Sequence, residues 1–583
     1  MSCDGGAPPR VWAPRARSVA VETESGRHPL ARAGGGWWAG DAPLPPGTDY
    51  RFSLDAHPGL PDPRSPLQPE GVHGPSRTVG ADAHTWTDAS WTGAELAGAV
   101  IYELHVGTFT PGGTFDAAVA RLGHLVDLGV TAVEIMPVAE FPGDHGWGYD
   151  GVDLYAPHHA YGGPDGLRRL VDACHARGLA VVLDVVYNHL GPDGNYLGAY
   201  GPYFTDRYRT PWGEAINLDG ADSDEVRGFI VDNALTWLRD FHVDGLRLDA
   251  VHAIVDSSAV HILEELATRV RALQAELGRR LWLIAESDLN DPRLIHDVEH
   301  GGYGLDAQWC DDLHHALHAV LTGERTGYYQ DFGRLEDLAA ALRRAYVFDG
   351  RYSRYRRRRF GRPAGGVDSS RFVVCLQDHD QVGNRAGGER SSALMSTGLL
   401  EVGAAIVLTS PFVPMLFQGE EWGASTPFLY FTDHTDPMLA RAVSQGRRRE
   451  FAAFGWDESA VPDPQDESTF TRSRLDWDEL PREPHARLLA WHRELIALRH
   501  RLPQLRGGPL GAVEVRFDEE ARWLVTERGG VAVAVNVGAR PARIPFGPRG
   551  PGDVLLASAG GAERCGDVLV LPPESAAVLD QSI

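Results

Sequence analysis

From about residue 98 to residue 422 the chain alternates between two hydrophobic textures. Short, mostly apolar runs recur: "AVIYELHVGTF" from Ala99, "GVTAVEIMPV" from Gly129, "GLAVVLDVVYNH" from Gly178 and "DGLRLDAV" from Asp244. Four more follow: "LWLIAES" from Leu281, "GLDAQWC" from Gly304, "RFVVCLQDHD" from Arg371 and "VPMLFQGEEW" from Val413. These read as strands, and helical patterns such as "DSDEVRGFIVDNALTWLRDF" lie between them. Eight strands, each followed by a helix, predict an α/β fold of the (β/α)8 TIM-barrel type. The last helix is "LLAWHRELIALRHRL", with Leu488, Trp491, Leu495, Leu498 and Leu502 on one face. The barrel is therefore assigned to residues 93–503. A long Gly-, Tyr- and Pro-rich loop, about 190–220, follows the third strand as an active-site loop would.

The flanks read differently. Residues 1–92 are rich in Pro, Gly and Trp, with short alternating pieces such as "SVAVE" and "YRFSLD", which predict an N-terminal β-sandwich. Residues 504–583 alternate again in "RWLVTERGGVAVAVNV" and "DVLVLPPESAAVLD", predicting a C-terminal β-sandwich domain. The apolar stretch from Leu399 to Phe417 is broken by Glu401 and two prolines, so it reads as a helix feeding a buried strand rather than a membrane span.

Composition narrows the partners. Of 583 residues, 55 are basic and 80 acidic, a net charge of −25 that argues against nucleic acid or an anionic membrane. None of the basic residues is lysine, which excludes a Schiff-base lysine and a Walker-type phosphate loop. The five cysteines (Cys3, Cys174, Cys310, Cys375 and Cys565) are scattered without CxxC spacing and read as reduced, mostly buried thiols. The N-terminal residues show no apolar signal core, so a cytoplasmic location is expected.

Candidate chemistry begins with "DGLRLDAVHAI". Strand alternation puts Gly245, Arg247 and Asp249 on one face, and charges inside a buried strand are costly unless they pair or react. Other strand ends are equally polar: Asp184, Asn188 and His189 at the third, Glu286 at the fifth, His379 and Asp380 at the seventh. Barrel active sites lie at that rim. Paired carboxylates without a lysine, a Cys–His pair or a metal-ligand spacing point to glycosidic chemistry, in which one carboxylate attacks and another protonates the leaving oxygen. Arg247 would keep Asp249 ionised and aimed, while an apolar strand and neighbouring carboxylates would hold Glu286 protonated. No cofactor and no metal is implied.

Four segments in order, "DVVYNH", "DGLRLDAVH", "IAES" and "QDHD", resemble the four signature segments of the α-amylase superfamily, glycoside hydrolase family 13. The resemblance implies Asp249 as nucleophile, Glu286 as general acid/base and Asp380 as the carboxylate bracing the distorted sugar, with retention through a covalent glycosyl-enzyme. It implies Arg247, His189 and His379 as binders of sugar hydroxyls. Tyr149, in "GWGYDG", looks like the aromatic platform beneath that sugar, its alternative being a core tyrosine. His252 reads as a leaving-side contact or as a solvent-facing histidine. One departure is Asp378, where an Asn is usual, and Asn188 stands where calcium-dependent members place a ligand but reads better as a loop-fixing residue.

The N-terminal segments "VWAPRARSVAVE" and "YRFSLD" look like the carbohydrate-binding-like sandwich of branching, debranching and trehalose-releasing members. Within that set, "YELHVGTFTPGGTF", "DDLHHALHAVLTGERTGYY", "QDHDQVGNR" and "FQGEEWGASTPFLYFTDH" most resemble the trehalose-releasing group. That implies cleavage of the α-1,4 bond beside the terminal trehalose of a malto-oligosyltrehalose, an α-1,4-glucan substrate, and a malto-oligosyltrehalose synthase as pathway partner. The alternatives are a 1,4-α-glucan branching enzyme, a debranching hydrolase of α-1,6 bonds and a non-catalytic glucan-binding protein. Branching enzymes carry a second glutamate after the catalytic one, whereas here Ser287 and Asp288 follow. Trp37 and Trp38 read as sandwich core, "FLYFTDH" from Phe428 as sugar-stacking or loop-packing rings, and "RYSRYRRRRFGR" from Arg351 as a solvated loop.

Overall fold

The computed structural model describes residues 8–55, 57–80, 84–452, 461–548, 550–558 and 560–582, the side chains of 450–452 excepted. Cys3 lies outside the described residues. Eight parallel strands close a barrel: β1 Ile101–Leu104, β2 Ala132–Ile135, β3 Ala180–Val185, β4 Gly245–Leu248, β5 Trp282–Ala285, β6 Ala307–Trp309, β7 Phe372–Cys375 and β8 Val413–Phe417. Each predicted run contains one of them.

Alternation along the strands explains what fills the barrel. Tyr102, Leu104, Val133, Ile135, Leu246 and Leu248 point outward into the core beneath the helices. Ile101, Ala132, Val182, Trp282, Ile284, Trp309, Val373 and Met415 form a separate inner cluster. Further along β1–β4, the inward positions change character. Glu103, Glu134, Asp184 and Arg247 occupy them, all at most 2% exposed. The interior thus runs from apolar at the N-terminal end to ionisable at the C-terminal end.

The N-terminal end is closed by structural polar contacts. Asp244, just before β4, accepts hydrogen bonds from His175 Nε2, the Val181 N–H and Trp91 Nε1 at 2.7–2.8 Å. That fully buried carboxylate ties β3 and β4 to the segment entering the barrel.

Helices follow seven of the eight strands, among them Ser223–Asp240, Ile262–Leu277, Thr397–Thr409 and His485–Arg501. The fifth connection departs from the expected pattern. From Glu286 to Asp306 the chain makes only two 3₁₀ turns, Pro292–Leu294 and Val298–His300. Pro292, Gly301, Gly302 and Gly304 in that segment deny it a continuous helix.

Two segments read as loops hold regular structure. The long segment Gly191–Asp219 carries secondary structure of its own, a helical turn, Leu197–Tyr200, and a hairpin, Phe204–Thr210 with Gly213–Ile216. The Arg-rich run is also a hairpin, Asp349–Ser353 with Arg358–Gly361. It is held by Arg356, which lies 3.9 Å over the Phe360 ring and 2.9 Å from Asp288.

At the N-terminus a three-stranded sheet (Arg10–Trp12, Trp37–Ala39, Ala31–Gly34) and a four-stranded sheet (Gly26–Pro29, Val19–Thr23, Asp49–Leu54, Ser76–Arg77) form an antiparallel pair. Trp38 is buried there, and Trp37 is half-buried beneath Arg10. At the C-terminus a five-stranded and a three-stranded sheet enclose Trp523, Val525, Ile544, Leu569 and Leu579. Cys174, Cys310 and Cys375 are buried free thiols, and Cys565 is half-buried. No helix among the described residues is long and apolar enough to cross a membrane.

The backbone before Tyr149 is tightly constrained. Gly148 has φ +98°, and a Cβ there would run into the Pro137 carbonyl oxygen. Gly148→Ala is expected to lower the thermal midpoint by about 2–6 °C. A melting curve matching the unsubstituted protein would show that this turn is not tightly set.

Candidate active site

The candidate site is built on β4. Arg247 is fully buried because it points into the barrel, so its charge must be answered within the fold. Its Nη1 donates to both Asp184 oxygens, on the neighbouring strand β3, at 2.8 and 2.9 Å. The same nitrogen donates to Asp249 Oδ1 at 2.8 Å, one residue beyond the strand end. Nη2 lies 3.7 Å from Glu286 Oε2, and the guanidinium sits 4.4 Å over the Trp309 ring. One guanidinium therefore joins carboxylates from three consecutive strands.

The carboxylates that face the cleft are held separately. Asn188 Nδ2 donates to Asp249 Oδ2 at 3.0 Å, so both oxygens of Asp249 are engaged. Glu286 Oε2 accepts the Ala250 N–H at 2.5 Å. Ala250 is left-handed, with φ 39° and ψ 49°, a sparsely populated conformation for a residue with a Cβ. That local strain turns the N–H after Asp249 toward Glu286. The side chains of Asp249 and Glu286 are 12% and 15% exposed and that of Asp380 is 51% exposed, so all three can reach a ligand.

Burial pushes the Glu286 pKa up to about 8, against the pull of Arg247 and with help from Asp249 and Asp380. Burial likewise raises Asp184 to about 6, although Arg247 draws it down.

A second chain of contacts lies beside this one. The Tyr149 hydroxyl donates to Asp184 Oδ2 at 2.6 Å and lies 2.8 Å from His379 Nε2, with the two rings stacked at 5.2 Å. His379 and Asp380 do not end β7. The strand stops at Cys375, and both residues sit in a short helical turn, His379–Gly383. Asp378 caps that turn, accepting the N–H groups of Asp380 at 2.9 Å and Gln381 at 3.3 Å. It is thus an acceptor for backbone donors, a role an asparagine oxygen also fills. Burial, followed by nearby Glu103, raises its pKa to about 7.

His189 is buried with both ring nitrogens occupied: Nδ1 pairs with Asn188 Oδ1 at 2.9 Å and Nε2 with the Tyr149 carbonyl at 3.0 Å. Trp212, at the hairpin tip, stacks on it at 4.4 Å and is 49% exposed. His252 stands apart, exposed on the 3₁₀ turn Val251–Ala253. Of the "FLYFTDH" rings, Phe428 and Phe431 are buried with Trp147, Phe417 and Phe470, so they pack the loop.

Sequence reasoning passed over Glu103, Glu134, Trp212 and Trp309. The two glutamates carried the same signal as Arg247, a charge inside an apolar strand; the two tryptophans carried none.

Among the described residues one cluster has metal-ligand chemistry: Glu140, His158 and His159, whose ligand atoms lie within 4.8 Å of one another. Glu140 Oε1 already takes His158 Nδ1 at 3.0 Å and His159 Nδ1 at 2.7 Å, and Oε2 takes the His159 N–H at 2.8 Å. Ligation through Nδ1 would require the buried, partnerless His158 Nε2 to carry a proton beside the Phe141 ring. The cluster fits a hydrogen-bonded strut better than a metal centre.

A closed eight-stranded barrel with carboxylates gathered at its C-terminal end is an architecture that can support glycoside hydrolysis. The family model for the alpha amylase catalytic domain matches residues 77–206, and one described as a domain of unknown function (DUF3459) matches residues 509–578. A malto-oligosyltrehalose trehalohydrolase from Rhizobium sp. (strain M-11) is 52% identical over 580 residues, 98% of this chain and 97% of that one. A crystal structure of a putative alpha amylase from Salmonella typhimurium superposes with TM-score 0.90 at 39% identity, covering 98% of this chain and 97% of that one. A 1,4-alpha-glucan branching enzyme from Corynebacterium jeikeium is 29% identical, over 72% of this chain and 61% of its own. The chain belongs to the malto-oligosyltrehalose trehalohydrolase family.

If Glu286 must be protonated to act, its proton is lost as pH rises through about 8. The basic limb of kcat/KM against pH is expected near that value, and Glu286→Gln should abolish the limb along with most of the activity. A basic limb unchanged in residual Glu286→Gln activity would assign that ionisation elsewhere.

Proposed function

We propose that the protein cleaves the α-1,4-glucosidic bond next to the terminal trehalose of a malto-oligosyltrehalose, releasing trehalose and a malto-oligosaccharide. Membership of the trehalohydrolase family over nearly the whole chain supports the substrate. The observation that carries the chemistry is the meeting of Asp249 and Glu286 at one buried guanidinium on the open end of the barrel.

In the proposed reaction Asp249 attacks the anomeric carbon, its oxygens aimed by Arg247 and Asn188. Glu286 donates its proton to the glycosidic oxygen, which departs as a hydroxyl of trehalose. The resulting Glu286 carboxylate then takes a proton from water, whose oxygen displaces Asp249 and restores the anomeric configuration. Asp380, the most exposed of the three, is placed to accept hydrogen bonds from sugar hydroxyls and brace the distorted ring. Tyr149 offers its face as the platform, while His379, His189 and Arg247 shape the subsite around it. His252 is assigned to the leaving side, where its exposure leaves it free to meet the trehalose.

The boundaries near residues 92 and 503 divide this reading into a sandwich that extends the glucan surface, the catalytic barrel and a C-terminal domain. A cytoplasmic enzyme fed by a malto-oligosyltrehalose synthase, without nucleic-acid or membrane partners, fits the acidic composition.

The reading is tested on maltotriosyl-trehalose and, separately, maltopentaose, with products resolved by chromatography. Equal amounts of trehalose and maltotriose from the first, with little change in the second, are expected. New α-1,6 linkages from long amylose, and no trehalose, would place the protein with branching enzymes. Inertness toward every glucan would favour a binding role.

A further inference from the structure

Glu103 on β1 and Glu134 on β2 are register partners inside the barrel, each 1% exposed and out of a sugar's reach. Their surroundings differ. Glu103 Oε1 pairs with His379 Nδ1 at 2.5 Å, and its Oε2 accepts the His379 backbone N–H at 3.1 Å. Neither Glu134 oxygen has a hydrogen-bond partner.

We propose that Glu103 is a positioning residue for the glycosidic reaction. By holding His379 through ring and backbone together, it makes that ring a donor at both nitrogens, one to Glu103 and one to Tyr149. Tyr149 in turn donates to Asp184, which accepts from the guanidinium that holds Asp249. Glu103 thereby sets both the sugar platform and the far end of the network that aims the nucleophile. The inference rests on the hydrolase reading above.

The groups facing His379 make the direction of the effect clear. Its own segment supplies Asp378 and Asp380, β1 supplies Glu103 with His105 just beyond, and β2 and β3 supply Glu134 and Asp184. Tyr149, Trp147 and Trp309 surround the ring. Burial alone would drive the imidazolium to lose its proton. Glu103 foremost, then Asp380, outweighs burial and raises the pKa to about 10. Burial and nearby Glu103 push Glu134 well above the carboxylate range, and with no hydrogen-bond partner on either oxygen it is closely matched in shape by glutamine.

Glu103→Gln keeps the size but removes the charge and leaves one acceptor where His379 meets two, so burial is no longer opposed by its principal partner. The His379 pKa is expected to fall into or below the neutral range, and the donor to Tyr149 is then lost as pH rises. The variant's kcat/KM on maltotriosyl-trehalose should lie somewhat below that of the unsubstituted protein at acid pH and fall about a further 10- to 100-fold behind it by pH 8, the effect of one charge-assisted hydrogen bond. Glu134→Gln should leave the profile in place.

The His379 ring is also titrated directly in ¹⁵N-histidine-labelled protein, its signal assigned by its loss in His379→Asn. A lowered pKa in Glu103→Gln, and not in Glu134→Gln, is expected. An unchanged titration would overturn the proposal, and so would a uniform loss of activity at every pH. The titration needs no substrate, so it decides on Glu103 even if the protein releases no trehalose.

Discussion

The buried guanidinium of Arg247 is the constraint around which the rest of the site is arranged. A cation with no exposure would be unsupportable in an apolar barrel, and this one is made tenable by Asp184 beside it and by Asp249 and Glu286 beyond the strand ends. The same contacts that answer its charge fix where the two cleft carboxylates can be. Asp249 is engaged on both oxygens, whereas Glu286 approaches the guanidinium no closer than 3.7 Å. The difference in distance matches the roles proposed for them, an aimed nucleophile and a carboxyl whose pKa burial pushes up to about 8. Trp309, packed against the guanidinium face, keeps water from this side of it and leaves those electrostatic contacts strong.

Strand alternation is what brings these groups to one place. Every second residue of a barrel strand points inward, so on β1–β4 ionisable residues near the strand ends stack as a layer beyond the apolar ones. The N-terminal end uses the same kind of side chain to another purpose. Asp244 is as deeply buried as Arg247, yet it is satisfied by a histidine, an indole and a backbone amide, all structural. Position along the strand separates the two cases where residue type does not.

Much of this was legible in the sequence, because apolar runs and charges within them are local signals. All eight strands were placed, and Arg247, Asp249, Glu286 and Asp380 were singled out by their charge in or beside apolar strands. What escaped depended on tertiary contact. Glu103 and Glu134 carried the same signal but no motif drew attention to them. Trp309 acquired its meaning from stacking under Arg247, and Trp212 from a hairpin within the long loop after β3. The missing helix after β5 was readable in hindsight from Pro292 and the glycines that follow, but the eightfold pattern outweighed it. The arginine-rich run became a hairpin because Arg356 found both a ring and Asp288, contacts no periodicity encodes.

The central claim is that Asp249 is the nucleophile held by Arg247, and covalent trapping tests it most directly. The protein would be incubated with an activated 5-fluoro-maltosyl fluoride, whose glycosyl-enzyme turns over slowly, then digested and its peptides sequenced by mass spectrometry. A single sugar adduct on Asp249, absent from Asp249→Ala, is the result this account predicts. An adduct on Glu286 or Asp380 would contradict it, and so would rapid turnover with trehalose release undiminished in Asp249→Ala.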